Sequence, residues 1–134
     1  MPRLEHVSIG SGSTLGLGER VMADAVRFGD LLFLAGRAPV DPATLKLRGD
    51  TVDEQAAVVL EDVGRVLAAA GSGWDRVLRV ECFLADADDF AAWNRVWLES
   101  VPAPRPARTT VVAGFVVPGM RIELQVTAAA RASL

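Results

Sequence analysis

Between Thr51 and Ala70 the apolar residues Ala56, Val59, Leu60, Val63, Leu67 and Ala70 recur every three or four positions, the spacing that lines one face of an α-helix. Thr51, followed three residues later by Glu54, supplies a capping box at the start, and Gly71 supplies a left-handed stop at the end. A stripe of this kind packs against a sheet, and it carries no chemistry. A second, shorter helix is predicted from Phe90 to about Ser100, with Phe90, Trp93 and Trp97 at helical spacing and Asp88 or Asp89 as its cap. Asn94 falls one turn beyond Phe90 and is either an ordinary solvated residue or one that fixes a loop by hydrogen bonds.

Elsewhere the period drops to two. From Arg20 to Phe28 the residues Val21, Ala23, Ala25 and Arg27 alternate with Met22, Asp24 and Val26, and Gly29 with Asp30 makes a tight turn. The apolar run Leu31 to Ala35 then returns as the second strand of a hairpin, read as covered on both faces, and Gly36 ends it. Pro39, Asp41 and Pro42 open a loop that reaches Gly49. A third strand follows from the alternation of Leu78, Val80, Cys82 and Leu84 with Arg79, Glu81 and Phe83. Pro102, Pro104 and Pro106 hold the chain extended up to a β-branched strand, which puts Arg108, Thr110 and Val112 on one face and Ala107, Thr109 and Val111 on the other. Pro118 and Gly119 turn into the last strand, where Ile122, Leu124, Val126 and Ala128 form the apolar phase and Arg121, Glu123, Gln125 and Thr127 the opposite one.

The order hairpin, helix, strand, helix, hairpin predicts an α+β domain spanning residues 1–134, with one mixed sheet and both helices on one face. The other sheet face meets water or another subunit. Phe83 and Val112 interrupt its polar phase, which favours burial against copies of the same chain. Residues 1–19, with glycines at 10, 12, 16 and 18 and no sustained period, are expected to be a flexible lead, too irregular for a phosphate-binding glycine motif.

Composition narrows the possibilities. A chain of 134 residues can bury a core without staples, and its single cysteine excludes an intrachain disulfide. Cys82 falls in the buried phase of its strand, where a small hydrophobe is expected in place of a nucleophile, and with His6 as the one histidine no metal-ligand spacing exists. His6 is expected at the surface. A net charge of −3 argues against a nucleic-acid binder. No apolar run is long enough to span a membrane, and no signal-peptide pattern opens the chain, so a cytoplasmic protein without membrane association is expected.

Two charged residues on strands are candidates for chemistry. Arg108 presents a planar fork of donors that suits a carboxylate, although a surface arginine lying over apolar neighbours fits the same pattern. Glu123 points away from the apolar phase, where a carboxylate is either solvated or available to a ligand.

The chain resembles the RidA (YjgF) family of reactive-intermediate deaminases, also known as liver perchloric-acid-soluble proteins. The matching residues are Leu34 to Pro42, Glu54 with Gln55, Ala69 to Gly71, Val80 to Leu84, Asp86, Asp89 with Phe90, Asn94, Pro106 to Val111, and Ile122 to Leu124. The resemblance implies a chorismate-mutase-like fold assembled as a homotrimeric barrel, with sites between subunits and neither metal nor organic cofactor. It also implies hydrolysis of enamine or imine intermediates, 2-imino acids, to 2-keto acids and ammonia. Arg108 would hold the carboxylate of the small substrate, Glu123 would attend the attacking water, and Asn94 would lie near the site. Ala35, Gly36, Arg37 and Thr110 complete the implied substrate contacts.

This chain departs from the pattern in having no tyrosine, Ala35 where serine is usual, Arg37 where glutamine is usual, and Thr110 where cysteine is frequent. Arg37 offers a second anionic contact and so points to a larger or more acidic substrate. Two other readings use the same residues: a non-catalytic trimer that binds a 2-keto acid-like molecule, and an endoribonuclease, which the acidic charge and the lack of a histidine pair disfavour.

Overall fold

In the computed structural model, which describes residues 1–10 and 13–131, a six-stranded sheet carries two helices on one face. The strands are β1 (Leu4–Val7), β2 (Ala25–Phe28), β3 (Leu31–Leu34), β4 (Val77–Leu84), β5 (Ala107–Val112) and β6 (Ile122–Ala129). The helices are α1 (Val52–Ala69) and α2 (Phe90–Ser100). Across the sheet the order is β1-β2-β3-β6-β4-β5, antiparallel except for the β4–β5 pair, whose parallel crossover is α2.

The ends of α1 are built as its flanking residues require. Thr51 Oγ1 accepts the Glu54 amide at 3.2 Å, and Gly71, at φ +77°, lets the Ser72 amide turn back to the Leu67 carbonyl at 2.8 Å. Val59, Val63, Val66 and Leu67 are fully buried together with Leu124, Val126 and Ala128 of β6. Each such side chain contributes about 1.5–3 kcal/mol by leaving water. The polar Gln55 of α1 is fully buried in this interior. Gln55 donates from Nε2 to the carbonyls of Gly49 (3.1 Å) and Gly119 (2.9 Å), and its Oε1 accepts the Arg121 amide at 2.7 Å. A single buried amide thereby ties the loop before α1 to the turn before β6.

Several expectations are corrected. The lead over 1–19 was expected to be flexible, yet it contains β1, paired antiparallel with β2; its residues 11 and 12 lie outside the described residues. The anchor is Asp24, which is 2% exposed. Its carboxylate accepts the Ile9 amide (2.8 Å), the Ser13 hydroxyl (2.8 Å) and the Arg37 guanidinium (2.9 Å), while its own amide donates to the Val7 carbonyl at 2.9 Å. A polar hub leaves no hydrophobic period in the sequence. It also shortens β2, because residues 20–24 wrap the hub instead of extending the strand.

In β3, Leu31 and Phe33 are 40% and 48% exposed, so this strand is covered on one face only. Val112 lines up with Leu84, and Leu84 with Ile122, on the helix side; Val111 is the residue that joins Phe83 on the open face. Asp89 occupies the cap position of α2 but caps nothing, because its carboxylate binds Arg121. Asp86 instead caps the turn before the helix, accepting the Asp88 amide at 2.8 Å. His6 is exposed and Cys82 fully buried, as expected.

Replacing Asp24 by alanine would strand the guanidinium of Arg37, whose side chain is 12% exposed. Removing one partner of such a buried pair costs about 3–5 kcal/mol. Denaturant unfolding of Asp24→Ala is expected to show a loss in this range, with the Ile9 amide losing its protection from hydrogen exchange. A loss below about 1 kcal/mol would mean that the hub is not what holds the N-terminal segment.

Candidate functional site

Helical spacing on α2 builds a cradle for Arg108. Phe90, Trp93 and Trp97 present their rings to the guanidinium, whose central carbon lies 5.8, 5.7 and 5.3 Å from the three centroids. Trp97 is itself set by packing against Trp93 (5.5 Å between centroids) and edge-on against Trp74 (6.0 Å). Asn94, on the same face of the helix, accepts a hydrogen bond from Arg108 at 2.5 Å. Among the described residues the other donors of the fork meet no protein acceptor, and no carboxylate pairs with Arg108. Aromatic faces and a neutral amide orient this cation without neutralising it.

Thr110, two residues on, faces the same side. Its buried hydroxyl has no hydrogen-bond partner, and with Leu84, Ala87, Phe90, Val111 and Val112 it lines a cavity of about 230 Å³. Cys82 lies across from Thr110 on β4. Burial pushes its thiol above the ordinary 9.0, against the smaller opposing influences of Thr110, Arg108 and Trp93, which keeps it an inert hydrophobe at neutral pH.

Glu123 occupies a different place. On β6 it pairs with Phe83, whereas Arg108 pairs with Val80 and Thr110 with Cys82; paired residues share a face, so Arg108 and Glu123 stand on opposite sides of the sheet. Beside Glu123 runs the segment that follows β3. The Arg37 amide donates to the Leu124 carbonyl at 2.7 Å and the Leu124 amide returns to Arg37 at 3.0 Å, which brings Gly36 against the carboxylate. A Cβ on Gly36 would lie 3.4 Å from the carboxyl carbon. Glycine therefore leaves the carboxylate open to a ligand. Ala35, Gly36 and Glu123 line a cavity of about 180 Å³. Burial pushes the Glu123 carboxyl above its ordinary 4.5.

The implied site residues thus fall into two groups. Arg108, Asn94 and Thr110 come together under α2, and Ala35, Gly36 and Glu123 come together on the other side. Arg37 also lines the cavity beside Glu123, with its guanidinium paired to a carboxylate of the protein itself. It is registered with Leu124, one residue out of phase with Glu123, and its guanidinium turns to Asp24. There it borders a third cavity, where Arg48 pairs with Asp62 at 3.0 Å and Arg65 pairs with Asp62 and with Glu61. The aromatic cradle and the Gln55 clamp were not foreseen as parts of the site. The positions 90, 93, 94 and 97 carried the signal for the cradle, because all four share one helical face. Among the described residues no three carboxylate, thiol or imidazole groups converge as metal ligands. No helix among them is long and apolar enough to cross a membrane.

A mixed six-stranded sheet backed by two helices is the α+β arrangement of YjgF-type proteins, and here it carries an uncompensated arginine on one side and a half-buried glutamate on the other. The chain belongs to the YjgF/RidA family, since the family model described as Endoribonuclease L-PSP matches residues 20–130. It is 41% identical over 108 residues to the mitochondrial protein mmf2 of Schizosaccharomyces pombe, covering 78% of this chain and 84% of that one. Among solved structures it is similar to NMB1025 of Neisseria meningitidis, a member of the YjgF protein family, with TM-score 0.81, 32% identity and 98% of each chain covered. Yeast YEO7 is similar too, with TM-score 0.83, 31% identity, and 96% of this chain and 100% of that one covered.

A half-buried carboxyl with a raised pKa has a measurable cost. The neutral form folds unhindered below the unfolded-state pKa, and stability is lost as pH rises through the raised folded-state value. Glu123→Gln is therefore expected to melt above wild type at pH 7, with the two curves converging below about pH 4, where the carboxyl is protonated in both states. A variant that melts lower at neutral pH would show that the carboxylate is favourably solvated or paired.

Proposed function

We propose that the protein hydrolyses 2-imino acids to 2-keto acids and ammonia. The observation that carries this reading is Arg108, held over three aromatic rings and bonded to a neutral amide, with its charge uncompensated. A rigid, shielded guanidinium is suited to a substrate carboxylate, and a second group that handles protons is available in Glu123.

In this reading the carboxylate of a protonated imine docks on Arg108 and its C2 faces Glu123. Glu123 takes a proton from water as the oxygen bonds to C2, giving a tetrahedral carbinolamine. That proton passes to the amino group, the C2–N bond breaks with its electron pair leaving on ammonia, and the C2 hydroxyl gives its proton to Glu123 as the C2–O bond becomes a carbonyl; this proton then departs with ammonia as ammonium. Water is the only co-reactant, and positioning with proton transfer supplies the acceleration.

One chain cannot present both groups to one small molecule, because the sheet separates them. The reading therefore includes a homotrimer in which Arg108 of one copy faces Glu123 of the next. Support comes from the open sheet face, where Leu31, Phe33 and Val111 are 40%, 48% and 46% exposed and form an apolar surface suited to burial. The same cleft without chemistry would make a 2-keto acid-binding trimer, and turnover separates the two.

Light scattering at micromolar concentration is expected to give the mass of three chains. Ammonia release from freshly generated imino acids is expected to fall ~10²–10⁴-fold in Glu123→Gln, with substrate binding retained. In Arg108→Lys it should fall about a hundredfold, since a point charge does not reproduce the two-pronged geometry. Because each site takes its two groups from different copies, subunits of the two inactive variants refolded together are expected to recover about a quarter of wild-type activity. A monodisperse monomer, or unchanged turnover in either variant, would overturn the proposal; no recovery on mixing would place both groups in one chain's site.

A further inference from the structure

We infer that the cavity bordered by Arg37, Arg48 and Arg65 is a binding site for a phosphate-type oxyanion, separate from the groups assigned to hydrolysis. Three stretches of chain supply its guanidiniums: Arg37 follows β3, Arg48 lies in the loop before α1, and Arg65 is on α1. They converge on a space of about 180 Å³. A guanidinium carries five N–H donors, and few of these are used here. Among the described residues the Arg37 and Arg48 side chains each donate once, to Asp24 at 2.9 Å and to Asp62 at 3.0 Å. Arg65 donates to Glu61 at 2.8 Å and to Asp62. Arg37 Nε is buried with no partner, a donor whose desolvation stays uncompensated until an acceptor arrives.

Two carboxylates, Asp24 and Asp62, share the lining, and burial decides which sign an incoming ion meets. Their side chains are 3% and 10% exposed, whereas those of Arg48 and Arg65 are 38% and 51% exposed. The acids are withdrawn and already shared: Asp24 serves the Ile9 amide and the Ser13 hydroxyl as well as Arg37, and Asp62 serves two arginines. Arg20, Arg37, Arg48 and Arg65 outnumber Asp24, Glu61 and Asp62 by one, in a chain whose net charge is −3. A carboxylate ligand offers two oxygens in one plane and is satisfied by one fork; forks arriving from three segments match a tetrahedral group whose oxygens point apart. The space equals about six waters at ~30 Å³ each, which admits one phosphate group and leaves any esterified remainder outside. Ile9 and Pro42 complete the wall, so a bound ion would brace the N-terminal segment against α1.

The test is calorimetric titration of the full chain with inorganic phosphate and, separately, with glycerol 3-phosphate, at an ionic strength held constant with chloride. Saturable binding with Kd of ~0.1–1 mM is expected for at least one of them. Binding of inorganic phosphate alone identifies the ligand as the free ion, and binding of the ester with equal or greater affinity identifies it as a phosphorylated small molecule. Arg48→Gln and Arg65→Gln each remove one charged fork and are expected to weaken binding ~10-fold. Both side chains are partly exposed, so the variants should fold, and if one does not, the other reads the contact. The bound ion is also expected to raise the melting temperature relative to chloride and to slow hydrogen exchange at the Ile9 amide. No saturable heat up to ~20 mM phosphate, or an affinity unchanged in both glutamine variants, overturns the inference. So does a signal that disappears in Arg108→Lys while persisting in the glutamine variants, since that places the ion at Arg108.

Discussion

A β-strand turns successive side chains to opposite sides of its sheet, and the placement of the two candidate groups follows from that two-residue period. Arg108 is in phase with Val80, and Thr110 with Cys82 and Leu124, so the arginine is delivered to the helix side, where α2 can shelter it. Glu123 is one residue out of phase with Leu124 and emerges on the open side. No rotamer change can bring the two together through a sheet. The fold therefore separates the guanidinium from the carboxylate, and on the proposed reading neither alone amounts to a reaction centre.

The apolar periodicity made the helices and most strands legible. The stripe on α1 and the alternation of β4 and β6 are repeated signals that local interactions cannot override. β1 was not legible, because what fixes it is a carboxylate thirteen residues before its arginine partner and fifteen after an amide it binds. Hydropathy has no term for such a hub. The double coverage expected of β3 failed for a related reason, since a continuous apolar run looks the same whether its second face meets a helix or lies open. For the site, the identities of Arg108 and Glu123 could be read from motifs. The separation of their faces required the register between strands, and the aromatic cradle required knowing that β5 lies parallel to β4, beneath the helix that joins them.

Two buried polar residues do much of the fastening. Asp24 gathers the N-terminal segment, and Gln55 holds the loops at Gly49 and Gly119. Both satisfy several partners at once, which is the condition under which a polar group can be buried without a large penalty. The Gln55 contact with the Arg121 amide lies two residues before Glu123, so an amide on α1 also fastens the chain where it enters β6. The ion pair of Arg37 shows the converse. The guanidinium next to the candidate site has its charge balanced by a buried carboxylate of the protein itself.

The cradle of Arg108 is drawn from one contiguous stretch of chain, roughly residues 90–110, while the walls around Glu123 come from loops on either side of it in sequence, near 13–45 and 116–123. Inheritance can act on these separately. On the proposed reading, drift in the loops would alter which carbon skeletons are accommodated while the grip on the carboxylate stays intact, and a lineage could retune its diet of molecules without ever passing through a form that has lost its hold on them.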